Sequence, residues 1–469
     1  MSRLIRVILF LVLTSIIYAG EIRIEPKEYW VEARAWNTPF TSSILIDSSL
    51  AASGLSGEIH NQYKNRYEQL LEKFRKELQP SFTTLTPYEQ GEFILKWAHS
   101  NILGSYIENQ TLMDNLIDTG TYNCVSSSIL YLILSREAGL ITGIIETPDH
   151  AFCSVETETG WIDVETTTAY GFDPGVKQEF HQEFEKTGFT YVPPGKYRNR
   201  ETINDRETVA LIFQNRMSLL QKKNLHDQVI GIAVDRWTLS GSEKSRKDMN
   251  DSFRNWAATL NNRGSYKIAY DLISEVSEKY DLLNSNRDLL YSLAYNHIIK
   301  LTNSKNYNTA KTFLGTTREL LESSDYTELE NIIITETLAD LVRNGTYNES
   351  LPLIREAFKS GSISKSDWQN WITVLHQNKA LEISEITGWW DAWKYLKALP
   401  DEEKELRGII KSSGLAHDNW SFEIHNQFAD LFNAQDFDRA EQILLDGLLL
   451  DPGNRYLSRD LSDLKKIQP

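Results

Sequence analysis

An α+β domain followed by an all-α array of helical pairs is the fold class that this 469-residue sequence predicts. Three observations carry that expectation. An almost uniformly apolar helical stretch, Val125 to Ala138, is followed at once by three short β-type runs, the signature of a helix packed on an antiparallel meander. Strand patterns then disappear from residue 201 onward. Through that second part a short aromatic phrase recurs at a spacing of roughly forty residues, the period of stacked helix–turn–helix units. The 41% hydrophobic and 24% charged content is ordinary for globular chains, and the length leaves room for more than one domain.

The N-terminus sets the expected compartment. Arg3 and Arg6 precede an apolar run from Val7 through Leu13 that resumes at Ile16 and ends at Tyr18-Ala19-Gly20. This is the pattern of a signal peptide over residues 1–19, so a periplasmic or secreted protein is expected. The alternative is an inner-membrane anchor formed by an uncleaved signal, and membrane contact is expected only in that case. Residues 21–57 make a mixed, turn-rich N-terminal extension without a firm assignment.

A domain over 58–200 opens with Ile59, Tyr63, Tyr67, Leu70, Phe74 and Leu78 at spacings of three or four, an amphipathic helix. Thr86-Pro87-Tyr88-Glu89 carries a capping box with proline at the first helical position. The apolar helix ends at Gly139, and β-type runs follow at Leu140–Glu146, His150–Val155 and Trp161–Thr166. Glu156 to Gly160 reads as the hairpin loop between the last two. Over 201–469 the recurring phrase is Gly264-Ser265-Tyr266 with Ala269, Lys305-Asn306-Tyr307 with Ala310, Gly345-Thr346-Tyr347 with Ser350, and Asp436-Phe437 with Ala440. A weaker copy lies at Asn224-Leu225. Trp368, Trp371, Trp389, Trp390 and Trp393 crowd one stretch, either filling a helical interior or forming an aromatic surface.

The residues that could carry chemistry lie in the first domain. Cys124 stands at a helix start, where free amides stabilise a thiolate and can cradle an oxyanion. His150 opens the next-but-one strand and can take and return the thiol proton. A carboxylate must then orient the imidazole, and Glu165 and Asp163 share the strand face that His150 occupies. A hairpin centred on Glu156 to Gly160 places Glu165 opposite His150 better than Asp163, so Glu165 is preferred and Asp163 is the alternative acid. Cys153 has opposite strand parity and points into the core, although a Cys124–Cys153 disulfide would silence the nucleophile.

These residues resemble the transglutaminase-like superfamily in three ordered elements: Tyr122-Asn123-Cys124, Asp149-His150-Ala151-Phe152 and Trp161-Ile162-Asp163-Val164-Glu165-Thr166. The resemblance spans about residues 58 to 175. It implies a papain-like α+β core, acyl transfer through a thioester, Cys124 as nucleophile, His150 as base and Glu165 as acid. The chain departs from the family pattern at the acid, where Asp followed by Pro is usual. The bacterial branch of that superfamily is similar in being exported and in sometimes carrying tetratricopeptide-like repeats, which the segment Asp436 to Gly453 also resembles.

The expected function is that of an exported cysteine-dependent enzyme hydrolysing amide bonds in protein or cell-wall peptide. Its substrate is a protein or peptide, and the helical repeats bind a protein partner. The competing expectation is a non-catalytic envelope scaffold acting through those repeats. A net charge of −16 without a Lys/Arg-rich run argues against nucleic acid as partner. Two cysteines are too few for a disulfide framework or a Cys-rich zinc module. No cofactor or metal is expected, since His150 and Cys153 point to opposite faces of one strand.

Overall fold

The computed structural model describes residues 22–78, 82–175, 177–187 and 199–467. The signal sequence expected at 1–19 lies outside the described residues. Helices dominate the chain, with a small sheet region in its first half. Two compact units are present, Met1–Asn284 and Ser285–Pro469. Among the described residues no helix is long and apolar enough to cross a membrane.

The first unit begins with helices α1 (Glu28–Ala33) and α2 (Ser42–Ser53), which bury Trp30, Leu45, Ile46 and Leu50. Part of the segment 22–57 therefore belongs to the core rather than to an extension. Its sequence disguises this, because α2 also buries Ser48, Ser49 and Ser53. The Ser48 and Ser53 hydroxyls donate to the carbonyls of Ile44 (2.7 Å) and Ser49 (2.8 Å), which pairs two of these three buried hydroxyls; that of Ser49 has no partner among the described residues. Helix α3 (Gly57–Glu77) buries Tyr67, Leu71 and Phe74, while Ile59 at its start is exposed. Helix α4 (Pro87–Asn101) starts at the Thr86–Glu89 capping box. The short parallel pair β1 (Ser105–Tyr106) and β2 (Thr121–Tyr122) flanks α5 (Met113–Thr119) and leads into α6 (Cys124–Glu137). Every residue of α6 from Cys124 to Ser135 is buried.

Helix α6 packs on a four-stranded sheet in the order β5-β4-β3-β6. Its strands are β3 (Thr142–Glu146), β4 (Ala151–Thr157), β5 (Gly160–Val164) and β6 (Glu201–Ile203), all paired antiparallel. The β4–β5 register pairs Cys153 with Val164, Ser154 with Asp163 and Thr157 with Gly160. The hairpin therefore turns on Glu158-Thr159, and the expected His150–Glu165 register is displaced by two positions. Gly160 supplies the reason: its φ of +112° lets pairing continue to a tight turn. Thr157 Oγ1 secures that turn by accepting from the Thr159 amide at 3.2 Å. Helix α7 (Gln178–Phe184) follows β5.

The unit does not end at residue 200. Helix α8 (Asp205–Lys222) buries the continuous run Val209 to Phe213 in the same core, and Phe213 meets Trp30 edge-on at 5.0 Å. Asp235 of α9 (His226–Ser240) takes Arg23 in a bidentate ion pair at 2.8 and 2.7 Å. Helices α10 (Glu243–Asn262) and α11 (Tyr266–Lys279) complete the unit.

The second unit is helical throughout its described residues, from α12 (Leu283–Asn303, which straddles the boundary) through α13 (Tyr307–Thr316), α14 (Ser323–Asn344), α15 (Tyr347–Lys359), α16 (Lys365–Thr387), α17 (Trp389–Lys397), α18 (Asp401–Lys404), α19 (Arg407–Asn433) and α20 (Phe437–Leu450) to α21 (Arg455–Lys465). The recurring phrase has a physical meaning in both units. Its aromatic starts α11, α13, α15 and α20, and its small residue, Ala269, Ala310, Ser350 or Ala440, is fully buried. Gly264, Lys305 and Gln435 precede the aromatic by two residues and adopt left-handed φ of 71°, 59° and 60°, turning the chain into the next helix. Gly345 does not, because Thr346 caps α15 with a capping box instead. Of the tryptophans, Trp368 is buried and stacks on Phe358 at 4.5 Å, while Trp371, Trp389, Trp390 and Trp393 are half-buried against the helical cores, with Trp390 meeting Trp393 and Trp420 at 4.6 and 4.3 Å.

Candidate functional site

The site is built where α6 meets the end of the β4–β5 hairpin. Asn123 has extended backbone and caps α6, its Oδ1 accepting from the Val125 and Ser126 amides, each at 3.1 Å. Those bonds leave Cys124 as the first helical residue, 8% exposed. Asn123→Ala is expected to cost about 1 kcal/mol, the usual worth of such a cap. Urea denaturation of the variant beside wild type measures it.

His150 lies just before β4, and its backbone carbonyl is held by the Thr147 amide at 2.9 Å and hydroxyl at 3.0 Å. Its Nε2 is 2.7 Å from Glu165 Oε2, with both side chains buried. Cys124 is close enough to the imidazole to act on its titration. Burial works to lower the His150 pKa, but the Glu165 charge, the bond with Glu165 and the nearby Cys124 outweigh it. His150 is therefore protonated well above the ordinary histidine value.

Glu165 is fixed from behind. Its Oε1 accepts from the Thr167 amide at 3.2 Å and hydroxyl at 2.8 Å, and Tyr122 Oη donates to the Thr167 carbonyl at 3.0 Å. The Glu165 amide donates to the Gly171 carbonyl at 2.8 Å. Glu165 reaches His150 diagonally from beyond the strand end, not as its opposite partner. Asp163, the alternative acid, is occupied elsewhere: Arg200 grips its carboxylate with both terminal nitrogens and lies over the Phe152 ring at 5.1 Å.

Several supporting groups carried no signal in the sequence. The Ser127 and Ser128 hydroxyls lie 2.8 and 3.0 Å from Thr166 Oγ1, joining α6 to the chain after β5. His99 Nε2 faces the Thr166 carbonyl at 3.1 Å, and burial lowers its pKa to about 4, so it is neutral there. Both cysteines are free thiols. Cys153 is fully buried on the opposite side of the strand, donates to the Ser128 carbonyl at 3.4 Å, and has its pKa pushed up by that burial.

Two cavities of about 230 and 220 Å³ open beside Cys124. Asp149, Asn215 and Ser218 line both. One wall is the α8 face carrying Leu211, Gln214, Asn215 and Ser218, so residues beyond 200 help to build the site. Among the described residues no group of three or more His, Cys, Asp or Glu side chains is placed to hold a metal ion. No protein-family model, curated protein or solved structure matches the chain significantly.

Proposed function

We propose that this chain is a cysteine-dependent acyl-transfer enzyme of papain-like, transglutaminase-like character, exported and hydrolysing amide bonds in protein or peptide. The observation that carries this reading is a buried His150 bonded to a buried Glu165 at 2.7 Å and lining one cavity with Cys124. In the reaction, the Cys124 thiolate attacks the amide carbonyl while its own amide, the one in the first turn of α6 that Asn123 does not engage, receives the developing oxyanion. The carbon–nitrogen bond breaks, His150 gives its proton to the departing amine, and a thioester remains. Water, deprotonated by His150, then releases the acid and regenerates the thiol. Glu165 holds the ring in orientation and stabilises its charged form. The helical pairs of the second half serve as tetratricopeptide-like repeats that bind a protein partner.

The test is iodoacetamide labelling of Cys124 against pH, in wild type and His150→Ala. Wild type is expected to label rapidly down to about pH 5–6. The variant is expected to label only as pH climbs past about 8, as an ordinary thiol does. Ordinary thiol behaviour in both proteins would sink the catalytic reading. The scaffold reading would then lead.

A further inference from the structure

The turn Glu165-Thr166-Thr167 carries the acid of the site, and its middle residue reaches the helix that carries the nucleophile. Thr166 is fully buried. Its Oγ1 lies 2.8 Å from Ser127 Oγ and 3.0 Å from Ser128 Oγ. Those serines stand three and four positions after Cys124, on its face of α6. Each hydroxyl has one proton to give, and the distances decide where each goes. Ser127 spends its proton on the Asn123 carbonyl at 2.8 Å, so its oxygen accepts from Thr166. Thr166 Oγ1 then accepts from Ser128, whose other acceptor, the Ala151 carbonyl, lies farther off at 3.4 Å. The bonds run one way, from Ser128 through Thr166 and Ser127 to Asn123. They end on the peptide group whose N–H belongs to Cys124.

Each participant in the chemistry has a neighbour in or beside this string of hydroxyls. Thr166 follows Glu165, Asn123 precedes Cys124, and Ala151, at the string's edge, follows His150. From α4, His99 donates to the Thr166 carbonyl at 3.1 Å. Bonds of the turn to Gly171 and Tyr122 fix its shape and its place beside β2, and the Thr166 hydroxyl fixes it to α6. We infer, on the catalytic reading of the site, that Thr166 is a positioning residue. Its hydroxyl sets the distance between the Glu165 turn and the nucleophile helix, and so the alignment of Glu165 and His150 with Cys124. Thr166 takes no part in the bond-breaking steps.

Iodoacetamide labelling of Cys124 against pH, beside urea denaturation, tests this in wild type, Thr166→Val and Thr166→Ser. Valine keeps the shape and loses the hydroxyl, whereas serine keeps the hydroxyl and loses a buried methyl group. Both are expected to lower the urea midpoint, so stability alone does not separate them. Only Thr166→Val is expected to slow labelling at pH 6, about tenfold, because the groups it supports lose their alignment. At about pH 9–10, where a thiol ionises without help, its rate should return to that of wild type. Ser127→Ala removes the next hydroxyl of the string. It is expected to slow labelling at pH 6 in the same way, and it serves if Thr166→Val does not fold. A wild-type rate at pH 6 in either hydroxyl-loss variant, or an equal loss in Thr166→Ser, overturns the proposal. If wild type itself labels at pH 6 only as an ordinary thiol does, the catalytic reading fails and the role of Thr166 falls with it.

Discussion

Glu165→Ala is expected to destabilise the folded chain by about 3–5 kcal/mol at pH 6, because it strands a charged imidazole in the interior. Both members of the pair are nearly inaccessible: His150 is 6% and Glu165 1% exposed. Without the carboxylate, the Thr167 amide and hydroxyl also lose their acceptor. The penalty should depend on pH in one direction. The His150 pKa is raised in the folded state, so the stability it contributes is fully present below the unfolded value near 6.5. That contribution is lost as pH rises through the raised folded value. Urea denaturation of wild type and variant at pH 6 and again at pH 9–10 measures it. The gap should narrow at the higher pH, and a pH-independent gap would show that His150 is not a charged partner of Glu165.

Gly171→Ala should be nearly as damaging, at about 3 kcal/mol or more, although it adds a single methyl group. A Cβ there would sit 1.8 Å from the Glu165 carbonyl oxygen and 2.8 Å from its carbonyl carbon. Backbone atoms cannot rotate aside as a side chain could. The chain must part at this point and give up the Glu165 amide bond to the Gly171 carbonyl. The substitution therefore acts on the acid that holds His150. Two readouts are expected to change together: a lower urea midpoint, and loss of Cys124 alkylation at pH 6. Normal alkylation at an unchanged midpoint would mean that Gly171 does not hold Glu165 in place.

The side chains that meet at the site were legible because their signals are local. Cys124 follows a capping asparagine, His150 opens a strand, and Glu165 lies on the parity of His150. The register that favoured Glu165 was nevertheless wrong by two positions, since Gly160 permits a tighter turn than the polar run Glu156 to Gly160 suggested. Glu165 meets His150 because the chain bends past β5, a path fixed by Thr167 and Gly171 that no periodicity announces. The recurring aromatic and small residues of the helical pairs were readable for the same local reason. What could not be read was long-range. Val209 to Phe213 looks like the start of any packed helix, and nothing nearby says that its partner is Trp30. Ser48 and Ser53 of α2 gave no sign of a buried helix, which their bonds to carbonyls of the preceding turn make possible.

The return of α8 and α9 to the N-terminal helices bears on how the molecule is made. Arg23 closes on Asp235 across 212 residues, so the segment around Arg23 waits for a partner made much later. Trp30 has no Phe213 beside it until α8 has emerged, and Cys124 lacks one wall of its cleft for the same interval. Closing a loop of that length is slow relative to helix formation. During synthesis the nucleophile therefore exists before its enclosure does. The order of elements along the chain delays a finished cleft until α8 has been made.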